Sequence, residues 1–469
     1  MSIKIKLAAI AKDEGAYLPQ WIYHHFAFGF DEIEIWLNNT TDVSEPMLTA
    51  LIEHYGADVI KFRNADSFLK QCLEEDLPFQ QRVYSKIYFE TVLESTCSHI
   101  IFLDLDEFWV PKNFRSSIKD YIGESASFDA LSFQWVIDSP DHFKNVFSPP
   151  FSNINIVQKN RHLKTLVKVT TRMEELSIHN HSIYEGLYLL DNKIVFSEDD
   201  AEETQNKSLA PIDFFEENKS SLNDDAFIFH QINRSSVEYL SSLLRGRGHK
   251  NDNNVFKVNR TGYLPDVDSG PSVLFKIDAA RLEKYDSGFE KFLHDTGIRS
   301  LLTEAKRFIF ARFYNAVSLI RSNPDLLPMY RMQLKGVKIN DLISEPLKTE
   351  SIFLSVDAVS LVDQNHSLNI EGWLFDTLSY VKPDTSAFLS SSLDLCITVN
   401  YLKRPDVLEL YPDADIDAGF FITITKRTSE PFYARDQIRL IFSSDSSKRE
   451  TIINLADLSI SIENYNLTV

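Results

Sequence analysis

H-I-I-F-L-D-L-D-E-F-W-V-P, residues 99–111, is the stretch from which the fold is read. Ile100 to Leu103 form a short continuous apolar run, the pattern of a strand buried on both faces. Three carboxylates follow at once: Asp104, Asp106 and Glu107. In an extended segment residues two apart point the same way, so Asp104 and Asp106 are expected to share a face while Leu105 turns to the core. Open α/β sheets bind ligands at the carboxyl ends of their strands. A carboxylate pair there suits Mg²⁺ or Mn²⁺, ions held by one or two carboxylates and completed by phosphate oxygens. A strand that simply ends in solvated acids has the same spelling, so the flanking sequence has to decide.

Upstream, Ile3 to Ala11 reads as a first buried strand stopped by Lys12-Asp13-Glu14-Gly15. Tyr17 to Phe28 carries helical spacing, and Asp31 to Leu37 reads as a second strand ending in the turn-rich Asn38-Asn39-Thr40-Thr41-Asp42. Pro46 to Tyr55 reads as a helix, Val59 to Phe62 as a third strand, and Phe79 to Ser95 as a long helix leading into the Asp104 strand. Strand and helix in alternation predict an α/β domain with a mostly parallel sheet and right-handed crossovers. No glycine-rich dinucleotide or P-loop motif stands between a strand and a helix, so those nucleotide folds lose their main support. Arg245-Gly246-Arg247-Gly248 follows a helix instead.

A net charge of -20 excludes the basic footprint of a nucleic-acid binder, and an anionic ligand then needs a metal or a local basic patch. Cys72, Cys97 and Cys396 are scattered and odd in number, which predicts a reducing, cytoplasmic setting without disulfides. The start has too short an apolar run for a signal peptide, and no run approaches the roughly 20 apolar residues of a membrane span. The expectation is a cytoplasmic protein, peripheral at the inner membrane at most.

The run from Ala9, A-I-A-K-D-E-G-A-Y-L-P-Q-W-I-Y-H-H-F-A-F-G-F-D-E-I-E-I-W-L-N-N-T-T-D, resembles the opening of family 2-like glycosyltransferases of bacterial surface-polysaccharide loci, related to glycosyltransferase family 92. Q-R-V-Y at 81–84, F-L-D-L-D-E-F-W at 102–109 and H-Q-I-N-R-S-S-V-E-Y-L from His230 agree with it in order. The resemblance covers roughly residues 3 to 250. It implies a GT-A fold and a metal-dependent, inverting transfer of a hexose from a nucleotide donor, UDP above all, to a surface glycan or its lipid-linked precursor.

Carried over residue by residue, Ala9, Lys12, Asp13 and Glu14, with Asn39, Asp42 and Gln81, would line the nucleotide sugar. Asp104 and Asp106 would hold Mn²⁺ or Mg²⁺ and the diphosphate, joined by His230, since imidazole is an acceptable Mn²⁺ ligand. Lys164 and Arg245 would meet phosphate, and Arg234, Ser235 and Arg247 would form a basic flap with Arg245. A solvated strand lysine and a solvated helix face are the plainer alternatives for these cations, as helix packing is for His24 and His25, core packing for His179 and His230, and an acid at a helix N-terminus for Glu14. Inversion needs a carboxylate to take the acceptor's proton, for which Asp138 comes first and Glu107 second. The family's small F-G-S element is replaced by Ile137-Asp138-Ser139, and an Asp opening a turn before Pro140 has the same spelling.

The expected domains are 1–275 for transfer, a helical region over 276–346, and 347–469 as an all-β sandwich with a strand at each of six alternating runs. Gly372-Trp373, Arg404-Pro405-Asp406-Val407 and Gly419-Phe420 resemble an accessory domain of some surface-glycan glycosyltransferases, which implies acceptor recognition or homo-oligomer contacts. Lys306 to Tyr314 mixes basic and aromatic residues as membrane-surface helices do, and as interdomain packing helices do. Two rival functions stay open: a non-catalytic glycan-binding protein, and a phosphotransferase with an Asp nucleophile. The latter wants a small residue where Phe108 stands.

Overall fold

The structure is a computed structural model of the 469-residue chain. It describes residues 3–124, 127–138, 146–191, 193–196, 209–222, 224–232, 234–246, 254–263, 269–337, 352–364, 366–376, 384–389, 395–410, 417–426, 431–433, 436–443 and 448–455. Two compact units emerge: residues 1–305 with 312–337, and residues 306–311 with 338–469.

The first unit begins β1 (Ile5–Ala11), α1 (Leu18–Ala27), β2 (Glu32–Leu37), α2 (Ser44–Tyr55), β3 (Ile60–Asn64), α3 (Asp66–Glu74), α4 (Phe79–Glu94) and β4 (His99–Phe102). It continues through β5 (Glu107–Pro111), α5 (Ile118–Glu124), β6 (Ala130–Asp138), β7 (Ile154–Lys168), β8 (Met173–Glu175), β9 (Ser182–Ile183) and β10 (Tyr188–Leu190). After these come α6 (Ile212–Asn218), β11 (Ala226–His230), α7 (Ser236–Leu243), β12 (Ser269–Lys276), α8 (Ala279–Asp295), α9 (Arg299–Ser322, of which residues 306–311 are assigned to the second unit) and α10 (Leu326–Met329). One mixed sheet runs β3-β2-β1-β4-β7-β6-β11-β5, with β10 beside β6 and β12 beside β7. The first four strands are parallel; β7 then runs antiparallel to both β4 and β6, and β11 returns parallel to β6.

The parallel half follows from sequence chemistry. Every residue of β2 is buried, and β1 is buried but for its penultimate position, so both faces need helices. Lys6, Glu32 and Glu34 lie in these strands at 1% exposure, Lys6 Nζ standing 2.9 and 2.6 Å from the two carboxylates, with Lys61 3.2 Å from Glu32 and Arg63 3.4 Å from Glu34 offsetting the remaining charge. Against one face pack Val83, Tyr84, Ile87 and Tyr88 of α4, with Tyr84 stacked on Phe102. On α1, Trp21, Ile22, His24 and His25 are buried, and burial holds both imidazoles neutral, His24 down to about 3. His24 and His25 are therefore packing residues.

The second unit holds two antiparallel sheets. One orders β13 (Ile352–Val362), β14 (Ser367–Asp376), β17 (Gly419–Lys426) and β16 (Leu395–Leu402); the other orders β15 (Asp384–Leu389), β18 (Gln437–Ser443) and β19 (Lys448–Asn454). Leu368, Ile370, Phe420, Ile422, Ile424, Ile438, Leu440 and Phe442 make one core. Arg404-Pro405-Asp406-Val407 opens a short helix, α11 (Pro405–Leu410), and Trp373 stacks on Phe375 at the edge of a small cluster with Val407. No helix among the described residues is long and apolar enough to cross a membrane.

Candidate active site

β4 ends at Phe102, and Asp104 to Glu107 form a tight turn closed by the Glu107 amide donating to the Asp104 carbonyl at 3.0 Å. The expected extended geometry is therefore not present, and this is the first correction. Leu105 is buried as expected, but the two aspartates leave the turn toward different partners. Asp104 meets Lys164 at 3.2 Å, whereas Asp106 meets His230 Nε2 at 3.5 Å. Trp21 fixes the turn from below: its indole N–H reaches the carbonyls of both Asp104, at 3.1 Å, and Glu107, at 2.9 Å.

Lys164 is a second correction. It is neither solvated nor open to a ligand: with no exposed surface, it lies 3.1 Å from Glu107 and 3.2 Å from Asp104. Burial works against its charge, but the carboxylates of Asp104 and Glu107 outweigh burial and raise its pKa. Glu107 is wholly buried and accepts the Asp104 amide as well; burial, with Asp104 nearby, pushes its carboxyl up to about 7 despite Lys164. As a proton acceptor for a substrate, Glu107 has no exposed surface to offer.

Asp138 ends β6. Trp135 pairs with Ile228 and Ile137 with His230, and laterally paired residues share a face of the sheet, so Asp138 falls on the face opposite Trp135 and His230. Sheet alternation thus separates the first-choice base from the metal-side residues.

Asp106 and His230 do come together. Burial would raise the Asp106 carboxyl, but His230, Arg234 and Arg260 hold it far below the usual range. Among the described residues no group of three His, Cys, Asp or Glu side chains is placed to hold a metal, so the expected Asp104-Asp106-His230 set is not assembled. The reason is the turn, which hands Asp104 to a lysine. The remaining pair still fits an ion: a separation of 3.5 Å suits two ligands each about 2.1 Å from one cation whose other positions go to phosphate oxygens and water. His230 Nδ1 is buried without a hydrogen-bond partner, which leaves the ring oriented by packing on Trp135 at 4.2 Å.

Two features here had no local signal. In β7 the register against β6 jumps between Gln134 and Trp135, leaving Arg161 and His162 as extra residues. The bulge stacks His162 on Trp135 at 4.6 Å, and His179 stands edge-on at 5.2 Å. Residues 179–181 form no strand, since β9 starts at Ser182, and His179 is held neutral by burial beside Lys164 and His162. On α4 it is Gln80, one position from the expected Gln81, whose amide faces Asp104 at 3.5 Å.

Across from the acidic turn lies the loop after β1. Ala9 is fully buried mid-strand and offers no surface. Asp13, at a positive φ of 50°, accepts from the Thr41 amide at 2.7 Å and from Arg312 at 3.1 Å. Asp42 accepts from the Gly15 amide at 2.7 Å and the Ser44 hydroxyl at 2.6 Å, so it braces the loop. A Cβ on Gly15 would lie 2.9 Å from that carboxylate, which is why a glycine stands there. Asn39 is exposed, at φ 47°, its amide donating to Asp66.

Glu14 is paired with Arg245 and lies 3.7 Å from Arg234. Arg234 covers the Tyr17 ring at 3.3 Å and donates to the Leu105 carbonyl at 3.2 Å, tying this loop to the acidic turn. Ser235 caps α7 in a capping box with Glu238, so its hydroxyl serves the helix and not a flap. Arg247 lies outside the described residues. Arg245, Lys257, Arg260 and Arg312 nonetheless crowd together with Lys12, enough that burial and like charge push Arg245 down to about 9.

No family model and no curated protein matches the sequence. Among solved structures, the galactosyltransferase LgtC in complex with donor and acceptor sugar analogs shares 14% identity over 35% of this chain, with a TM-score of 0.18. The chain covers 58% of that protein's length. An active-site mutant of LgtC shares 13% identity over 50% of this chain and 89% of its own, with a TM-score of 0.25. Likeness at this level is slight, and the functional reading rests on the chemistry of the site.

Proposed function

We propose that the chain is a glycosyltransferase that moves a hexose from a nucleotide donor, UDP above all, to a surface glycan or its lipid-linked precursor, with inversion at the anomeric carbon, in the cytoplasm. The observation that carries this reading is the meeting of two opposite charge sets at the carboxyl ends of β1 and β4. Asp106 with His230 lies on one side, and Lys12, Arg245, Lys257, Arg260 and Arg312 crowd on the other. A nucleoside diphosphate needs both kinds of neighbour, cations for its oxygens and a carboxylate-held ion to neutralise the charge left on departure.

In this reading Asp106 and His230 hold Mn²⁺ or Mg²⁺, which supplies Lewis-acid neutralisation of the leaving diphosphate when bound. Arg245 and its cationic neighbours grip the phosphates. Arg234 keeps the loop after β1 and the acidic turn in register through Leu105 and Glu14. Lys164 holds Asp104 in place and keeps the floor of the site dry, since it and Glu107 have no exposed surface.

Calorimetric titration of UDP with and without Mn²⁺, run beside Asp106→Asn, tests the proposal. Tight binding that requires both the metal and the Asp106 carboxylate is expected. Binding indifferent to Asp106, or none, would sink it.

A further inference from the structure

Lys257 is only 8% exposed, yet among the described residues it has no carboxylate partner. Its surroundings are of its own sign. Lys12 comes from the loop after β1, Arg245 from the end of α7, Arg260 from the same loop as Lys257, and Arg312 from α9. The acids that meet these arginines are already committed, Glu14 to Arg245 and Arg234, and Asp13 to Arg312 and Thr41. A buried ammonium among four cations is opposed by desolvation and by repulsion at once, and the amine can escape both by losing its proton near neutral pH, where the arginines keep theirs.

We propose that anion binding at this cluster is coupled to uptake of a proton by Lys257, whose amine is uncharged until the ligand's phosphate arrives. Burial, followed by Arg245, Arg260, Arg312 and Lys12, pushes the amine down to about 5, in keeping with this. A diphosphate placed among the cations cancels their repulsion and accepts a hydrogen bond from the new ammonium. The amine lone pair takes its proton from solvent, and no other bond changes. The inference rests on the reading of the cluster as a phosphate site, and it adds a regulatory consequence: affinity for the ligand rises as pH falls.

The test is calorimetry of UDP binding in buffer holding saturating Mg²⁺ near pH 8, where the phosphates, with a second pKa of about 6, are already ionised. Two buffers of different protonation enthalpy report the proton count. Uptake of about one proton is expected, with affinity falling about tenfold per pH unit above neutrality. Lys257→Met, checked for native circular dichroism, is expected to bind more weakly with a flat pH profile, and Lys257→Arg to bind without uptake. Buffer-independent heats, or uptake that persists in both variants, would overturn the inference. Sulfate serves as a second, non-nucleotide probe. Sulfate binding with Lys257-dependent uptake, beside no binding of UDP, would keep the inference and remove the nucleotide reading. Failure of both anions to bind would remove both.

Discussion

Lys164 sits between Asp104 and Glu107 with no exposed surface, and replacing it by methionine strands two carboxylates, one of them wholly buried. Breaking a buried pair in this way costs about 3–5 kcal/mol, so Lys164→Met should lower the urea midpoint sharply, and adding Glu107→Gln should restore part of the loss. A second variant that restores nothing would contradict the pairing. Glu107 also predicts a pH dependence. Its folded pKa is raised from 4.5 to about 7, so its contribution is complete below the unfolded value and fades as pH climbs through that window. Glu107→Gln should flatten the decline in stability between those limits, measured as urea midpoint against pH. Residue identity made Asp104 and Asp106 visible in the sequence, but their division between a lysine and a histidine depends on β7 and β11, which lie far along the chain. Lys257 and Arg260 carry no motif, and Arg312 stands out only within the basic-aromatic run of Lys306 to Tyr314; only the fold collects them.

Among the elements, those with strong local period were legible. The apolar runs of β1, β2 and β4 and the helical spacing of α1, α2 and α4 appear near their expected bounds. Among those without a legible signal are α3, whose polar face hides its buried Leu69 and Cys72, and β5, which exists by pairing antiparallel with β11 and has no alternation of its own. Gln80 in place of Gln81 is a matter of helix phase, about 100° per residue. The capping box at Ser235 and Glu238 holds the start of α7, between Arg234 and Arg245. Ser235→Ala should cost about 1 kcal/mol locally, raising amide exchange in Ser236–Leu243 about fivefold. Exchange unchanged there would show the cap to be dispensable.

At the scale of the whole molecule, the two units have separate cores, and a lesion in one should stay there. Phe420 is fully buried against Phe442 in the second unit, so Phe420→Ala should cost about 3–5 kcal/mol there while UDP affinity is unchanged. Calorimetric unfolding with and without UDP checks both halves of the statement, and a tenfold loss of affinity would refute it. The second unit's strands were legible from alternation, except β15, whose six residues run three polar and then three apolar without alternating. The bond from Trp21 to the carbonyls of Asp104 and Glu107 carries a consequence for how the first unit behaves as a machine. Because one buried indole is nailed to both ends of the acidic turn, that turn is an anvil: it moves only if α1 moves. Whatever travel accompanies ligand entry and exit must come from the cationic wall, and the emission of Trp21 should register a ligand's charge with little change in the backbone around it.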